Sequence, residues 1–169
     1  MANSSALYLK NLYDKIRGTG RKAITSDYTL EIEGHEGSYL LCKQVPLALI
    51  KSAGEIEVFG PLGMKMYERQ QNEIAFTGSL AFYETTQGTT EKMLEDIIAN
   101  SGEDGGWFNC KVYHGVPSKH IGGRRYQDCF FVPDNPETDV ESRGQVLMIT
   151  GSMFGHYFGE KIPANAQSI

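Results

Sequence analysis

Four residues in the second half of the chain, Cys110, His114, His120 and Cys129, carry side chains that could hold a metal. Two thiolates and two imidazoles are the donor set of a closed tetrahedral zinc site. Their separations of three, five and eight intervening residues lack the tight Cys-x-x-Cys pair of such sites. Cysteines in a strand core and histidines in a loop are the better reading. A cysteine nucleophile would need a histidine beside Cys42 or Cys129, a pairing that only the fold can create. The acidic pairs Glu31/Glu33 and Glu55/Glu57 each fall on one face of a strand, which is the geometry of a solvated acidic stripe and not of two carboxylates flanking a bond. The sequence contains no Gly-rich phosphate loop ending in Lys-Ser/Thr, no Gly-x-Ser-x-Gly and no His-Glu-x-x-His, so the motifs of phosphoryl, acyl and zinc-peptidase chemistry are missing. These observations point away from an enzyme and call for no cofactor or metal.

One local basic cluster, residues 119–125 (KHIGGRR), would suggest phosphate binding if it stood alone. The chain around it has a formal charge of −5 and a pI near 5.4, which disfavours DNA readout. In that setting Lys119, Arg124 and Arg125 either meet an acidic patch on another subunit or are simply solvated. Three cysteines at wide spacing form no small-protein disulfide framework, and buried free thiols are expected, with an intersubunit disulfide as the lesser reading. No run approaches 18 apolar residues, and the first 18 residues lack the apolar core and small-residue cleavage site of a secretory signal. Synthesis and retention in a cytoplasm, without membrane binding, are expected.

The elements that must position these residues are mostly strands. Hydrophobic residues make up 40% of the 169, charged residues 22%, and Gly 19, Tyr 9 and Phe 8 give the mixture of strands joined by turns. The length fits one domain over 1–169, with an N-terminal arm over 1–20. Within that arm residues 6–17 place Leu9, Leu12, Tyr13 and Ile16 on one side of a short helix, able to pack on its own domain or on a partner. Residues 27–33 alternate as a half-exposed strand with an acidic outer face, and Gly34-His35-Glu36-Gly37 predicts a hairpin into residues 38–45. After a strand over 55–59 comes a loop, 60–66, that is unusually apolar. Leu62, Met64 and Met66 there form either a contact surface or part of the barrel's own core.

Residues 73–84 read as a long strand with Ile74, Phe76, Gly78, Leu80 and Phe82 on one face. The following 89–100 read as a helix capped by Thr89 or Thr90, with Met93, Leu94, Ile97 and Ile98 as its buried stripe. Strands over 107–113 and 125–132 are expected on either side of a Gly-rich loop, with Trp107 as a core anchor. The chain then closes on residues 145–158 (QVLMITGSMFGHYF), a strand with no polar face, long enough to curl round a barrel or reach a neighbouring subunit.

Three pieces, YTLEIEG at 28–34, FTGSLAFYE at 76–84 followed by the helix 91–100, and VLMITGSMFGHYF at 146–158, together resemble the tail tube proteins of contractile-tailed bacteriophages, which share a fold with the Hcp tube proteins of type VI secretion. The resemblance covers nearly the whole chain and rests on element order. It implies a mainly β fold, a small antiparallel barrel or sandwich flanked by one helix, that closes into hexameric rings and stacks into a hollow tube within a virion tail. Implied partners are further copies of the chain, the tail sheath, the baseplate and the tail terminator, with DNA passing through. Glu31, Glu33, Glu55, Glu57 and Glu73 are candidates for an acidic lumen, each of which could equally face solvent outside. Leu62, Met64, Met66, the 102–106 turn and Lys119, Arg124 and Arg125 are candidates for ring-to-ring contacts. The alternatives are an Hcp-like tube protein, a single-ring terminator or baseplate component, or a small β-barrel that binds a ligand or acts as an enzyme.

Overall fold

A computed structural model describes residues 2–100 and 105–165 of the chain. The arm forms helix α1 (Ala2–Gly18), ended where Gly20 takes φ +100°. The first strand, β1 (Tyr28–Ile32), buries Leu30 and Ile32 and leaves the alternate positions outward, as period-2 patterning requires. The hairpin expected after it does not form. Glu36–Leu40 is a 3-10 turn, and β2 (Cys42–Gln44) leaves β1 altogether. Strands β3 (Lys51–Ser52), β4 (Glu55–Phe59), β5 (Lys65–Arg69) and β6 (Asn72–Glu73) form one antiparallel arm, β3 with β6 and β4 with β5. The strand expected over 73–84 is broken at Ile74 and continues as β7 (Ala75–Tyr83).

Helix α2 (Thr89–Asn100) has the boundaries expected of it, but its cap is different. The Glu84 carboxylate accepts from the backbone N–H groups of Thr85, Thr90 and Glu91 at 2.8, 3.1 and 3.0 Å. It thereby satisfies donors that have no partner within the helix and places a negative charge at the positive end of the dipole. Met93 and Ile97 are buried, whereas Ile98 is exposed. The residue expected to end the helix, Gly102, lies outside the described residues, as does most of the 102–106 turn.

Strands β8 (Phe108–Val116) and β9 (Lys119–Pro133) replace the expected strand, long loop and strand with one hairpin joined at Pro117 and Ser118. The glycines taken for loop signals, Gly115, Gly122 and Gly123, lie within the strands, and Gly123 permits a close approach. A Cβ on Gly123 would stand 2.8 Å from the Val112 carbonyl oxygen. The last long strand, β10 (Met148–His156), is nine residues and not fourteen, and the short β11 (Lys161–Ile162) follows it.

A seven-stranded antiparallel sheet runs in the order β1-β8-β9-β10-β7-β2, with β11 added to β9. β9 serves both halves. Along one edge it pairs with β8, and along the other it pairs first with β11 and then with β10. At its bend Asp128 takes φ +47°, the register slips, and the Asn109 side chain accepts from the Asp128 N–H at 3.0 Å. Such a bulge turns one strand from one sheet plane into the next. The two halves fold over a core of Leu30, Ile32, Leu80, Phe82, Val112, Tyr126 and Met153, closed by Met93 and Ile97 of α2. Burying side chains of this kind contributes about 1.5–3 kcal/mol each. The barrel is not closed, because β1 and β2, the two ends of the path, do not pair with each other.

Candidate assembly surfaces

Neither histidine of the possible metal set faces the cysteines. Cys110 and Cys129 are fully buried with their sulfurs 3.9 Å apart, and a Cβ on Gly155 would come within 2.6 Å of the Cys129 sulfur. The missing side chain at Gly155 makes room for that thiol. His114 stacks on Tyr28 with ring centroids 4.6 Å apart. His120 donates from Nε2 to the Pro163 carbonyl at 3.2 Å, while its backbone N–H donates to Asn165 Oδ1 at 2.7 Å, so it anchors the C-terminal strap. Among the described residues no three His, Cys, Asp or Glu side chains converge on a metal position. Burial and the neighbouring Cys129 thiol push the Cys110 thiol well above its ordinary value. Burial raises Cys42 to about 12. Raised thiol pKa values disfavour the reactive thiolate. Trp107 is not a core anchor; it stands 45% exposed at the sheet margin, edge-on to Phe130.

The basic cluster is strand, and two of its cations are engaged within the chain. Arg124 donates to the Ala48 carbonyl and lies over the Tyr157 ring. Arg125 pairs with Glu33 at 3.1 Å and with Glu160 at 3.3 Å. Lys119 is exposed at the β8–β9 turn.

Each of the five acids singled out in the sequence has a basic residue beside or opposite it. Glu31 faces Lys111 across the β1–β8 ladder, Glu33 has Arg125, and Glu55 lies opposite Arg69. Glu57 holds Lys65 at 2.8 Å, and Glu73 lies 3.8 Å from Lys51. These surfaces are therefore mixed in charge. At Glu31 partial burial, followed by the charge of Glu36, raises the carboxyl pKa, against the opposing pull of Lys111.

The β4–β5 arm is the most unusual surface. Every residue of both strands is exposed. The register Ile56↔Glu68 and Val58↔Met66 puts Ile56, Val58 and Met66 on one face together with Glu68, and the opposite face carries Glu55, Glu57, Phe59, Lys65, Tyr67 and Arg69. At the tip Leu62 is fully exposed at φ +60° and Met64 is more than half exposed. The apolar loop is thus a surface and not part of the core. Sequence reading found the tip but missed Ile56 and Val58, although their alternation with Glu55 and Glu57 was the signal. A lone two-stranded hairpin is at best marginally stable in water, and an apolar tip and face held away from the body mark a contact surface.

Among the described residues, β4 and β5 are exposed along their whole length, and β1 and β2 each leave one edge without a paired strand. Three solved structures share the chain's fold: a chain of the sheath–tube complex of an extracellular contractile injection system (PVC) in the extended state, the tube-terminating cap of the anti-feeding prophage (AFP), and the PVC sheath/tube terminator in the extended state. Their TM-scores are 0.56, 0.53 and 0.53, at 8%, 11% and 8% sequence identity. The matches cover 83%, 82% and 85% of this chain and 90%, 89% and 96% of theirs. No protein-family model and no curated protein sequence matches the chain. The fold is therefore the one used by tube, cap and terminator components of contractile injection machines, as the element order implied. Among the described residues no helix is long and apolar enough to cross a membrane.

Proposed function

We propose that the chain is a structural subunit of a contractile-tail tube, that copies close into six-membered rings, and that the rings stack into a conduit through which DNA leaves a virion. The observation that carries this reading is the exposed β4–β5 arm on a tube-type fold. Leu62, Met64 and Met66 are the proposed ring-to-ring contacts, with Lys119 as the cation available to an acidic neighbour. The unpaired edges of β1 and β2 are covered when adjacent copies continue the sheet, which removes sites that otherwise invite aggregation.

Six copies at −5 each give −30 per ring. That surplus repels phosphate, while the paired acids Glu31, Glu33, Glu55, Glu57 and Glu73 would give a bore lining of alternating sign that holds no extended run of DNA. The sheath, the baseplate and a terminator are the proposed neighbours in the tail. A second reading, a terminator that forms one ring without polymerising, is favoured by the likeness to the cap and the sheath/tube terminator.

Electron micrographs and mass measurements across a concentration series test both. Tubes support the subunit reading, discrete rings support the terminator, and a monomer at every concentration defeats both. Leu62→Asp with Met64→Asp is expected to leave the unfolding midpoint of the monomer unchanged and to abolish stacking.

A further inference from the structure

Every described side chain of helix α1 from residue 5 to residue 18 is exposed, and so are residues 19–26, which join it to the body. Tyr8, Leu9, Leu12, Tyr13 and Ile16 stay between 38% and 64% open. The link is long enough for the helix to fold back, yet the body buries none of these side chains. Helices of this length draw most of their stability from packing an apolar face.

Successive residues turn by about 100° round a helix, which fixes the order of side chains round α1. Leu12, Ile16 and Leu9 form the middle of the apolar stripe, with Ser5 at its N-terminal end, and Tyr8 and Tyr13 form its two margins. Beyond Tyr8 stands Lys15. Beyond Tyr13, past the small Ala6, stand Arg17 and Lys10, and Arg17 lies over the Tyr13 ring. The helix's acid, Asp14, falls on the far side with Asn11, Leu7 and Gly18. An aliphatic centre, tyrosine margins and cations outside both margins repeat the layering of a lipid interface, where acyl chains give way to the zone of amphipathic rings and then to headgroup phosphates.

Charge divides along the chain in the same sense. Residues 1–22 carry Lys10, Lys15, Arg17, Arg21 and Lys22 against Asp14, a formal charge of +4, and residues 23–169 carry the −9 that brings the chain to −5. A protein groove matched to this helix needs acids placed along two opposite rims. A flat anionic bilayer presents phosphate to both margins at once and demands no register. We infer that α1 lies in the surface of an anionic phospholipid bilayer, with Leu9, Leu12 and Ile16 among the acyl chains and Arg21 and Lys22 at the headgroups, while the link holds the acidic body clear. This replaces the expectation of no membrane binding, which rested on the absence of an apolar run long enough to span; lying in an interface needs only a stripe. It stands apart from whether copies of the chain form tubes.

The test floats the full-length protein with vesicles of phosphatidylcholine alone and with vesicles of phosphatidylcholine mixed with phosphatidylglycerol. Several-fold more protein is expected on the anionic vesicles, an excess removed in about 0.5 M salt, where charge attraction is screened within a few Å. Lys10→Gln, Lys15→Gln and Arg17→Gln should each weaken binding about five-fold. Leu12→Asp with Ile16→Asp should abolish it and leave the unfolding midpoint unchanged, since neither side chain belongs to the core. No flotation with anionic vesicles in dilute salt overturns the inference, and equal flotation with neutral ones does the same. Flotation that survives the double Asp variant assigns binding to the body and also overturns it. Mass measurements without lipid supply the last arm. Assemblies of the same mass in wild type and double variant support the lipid assignment, whereas assemblies lost in the variant give the stripe to a second copy and overturn it.

Discussion

Tyr126 joins the loop before the exposed arm to the core. Its hydroxyl donates to the Pro46 carbonyl at 3.0 Å and accepts from the Ala48 N–H at 2.9 Å, while its ring meets Phe76 and Tyr157. Tyr126→Phe strands both backbone groups in a dry site and is expected to cost about 1–3 kcal/mol, read by denaturant unfolding at neutral pH. Burial also raises its pKa from 10.0 to about 12. The unfolded chain thus loses the proton first as pH rises, so this stabilisation is full below pH 10 and lost as pH climbs through about 12. The variant should lose stability less steeply than the wild type across that window. An identical slope would show that the hydroxyl is not buried as described. No local signal in the sequence marks Tyr126 as different from the other tyrosines, because its partners are 78 and 80 residues away.

Among the elements, α2 was legible to its boundaries because helix signals are local: a polar start, apolar residues three and four apart, and an acidic first turn. Its cap was not, since Glu84 stands five residues before the helix and reaches forward past Thr85 to Thr90 and Glu91. Glu84→Ala removes the acceptor of three N–H groups and should lower stability by about 0.5–2 kcal/mol. Thermal unfolding would show it, and an unchanged midpoint would mean that Thr85, whose Oγ1 accepts from the Thr89 N–H, suffices. Strand pairing was misread where the turn chemistry looked clearest. The Gly34–Gly37 tetrad promised a hairpin, but β1 finds its partner in β8 and β2 finds its partner in β7. Period-2 patterning tells a strand which face is apolar and nothing about which strand lies beside it. Gly123 of β9 misled in the opposite direction, because a glycine that admits a neighbouring backbone looks in sequence like one that makes a turn.

For the whole molecule, one core serves both halves of the sheet, and Cys110 and Cys129 lie at its centre. Their labelling by a small thiol reagent is therefore expected to follow global unfolding, with Cys42, half-buried near the sheet edge, reacting first. Mass spectrometry along a denaturant series checks this, and modification of Cys110 in the fully folded protein would contradict a single cooperative core. The resemblance seen in the sequence captured element order and class of architecture. It left barrel and sandwich as alternatives, and the unpaired β1 and β2 rule out the closed barrel, because closure of a sheet depends on the pairing of distant segments.

Strand β9 has a mechanical side as well. Fifteen consecutive residues thread both halves, so prying the halves apart means flexing one unbroken polypeptide, and its local give is concentrated at Asp128, where the Asn109 amide braces the bend. Opening the angle between the two halves therefore requires the backbone to change at Asp128 and the bond from its N–H to Asn109 to break.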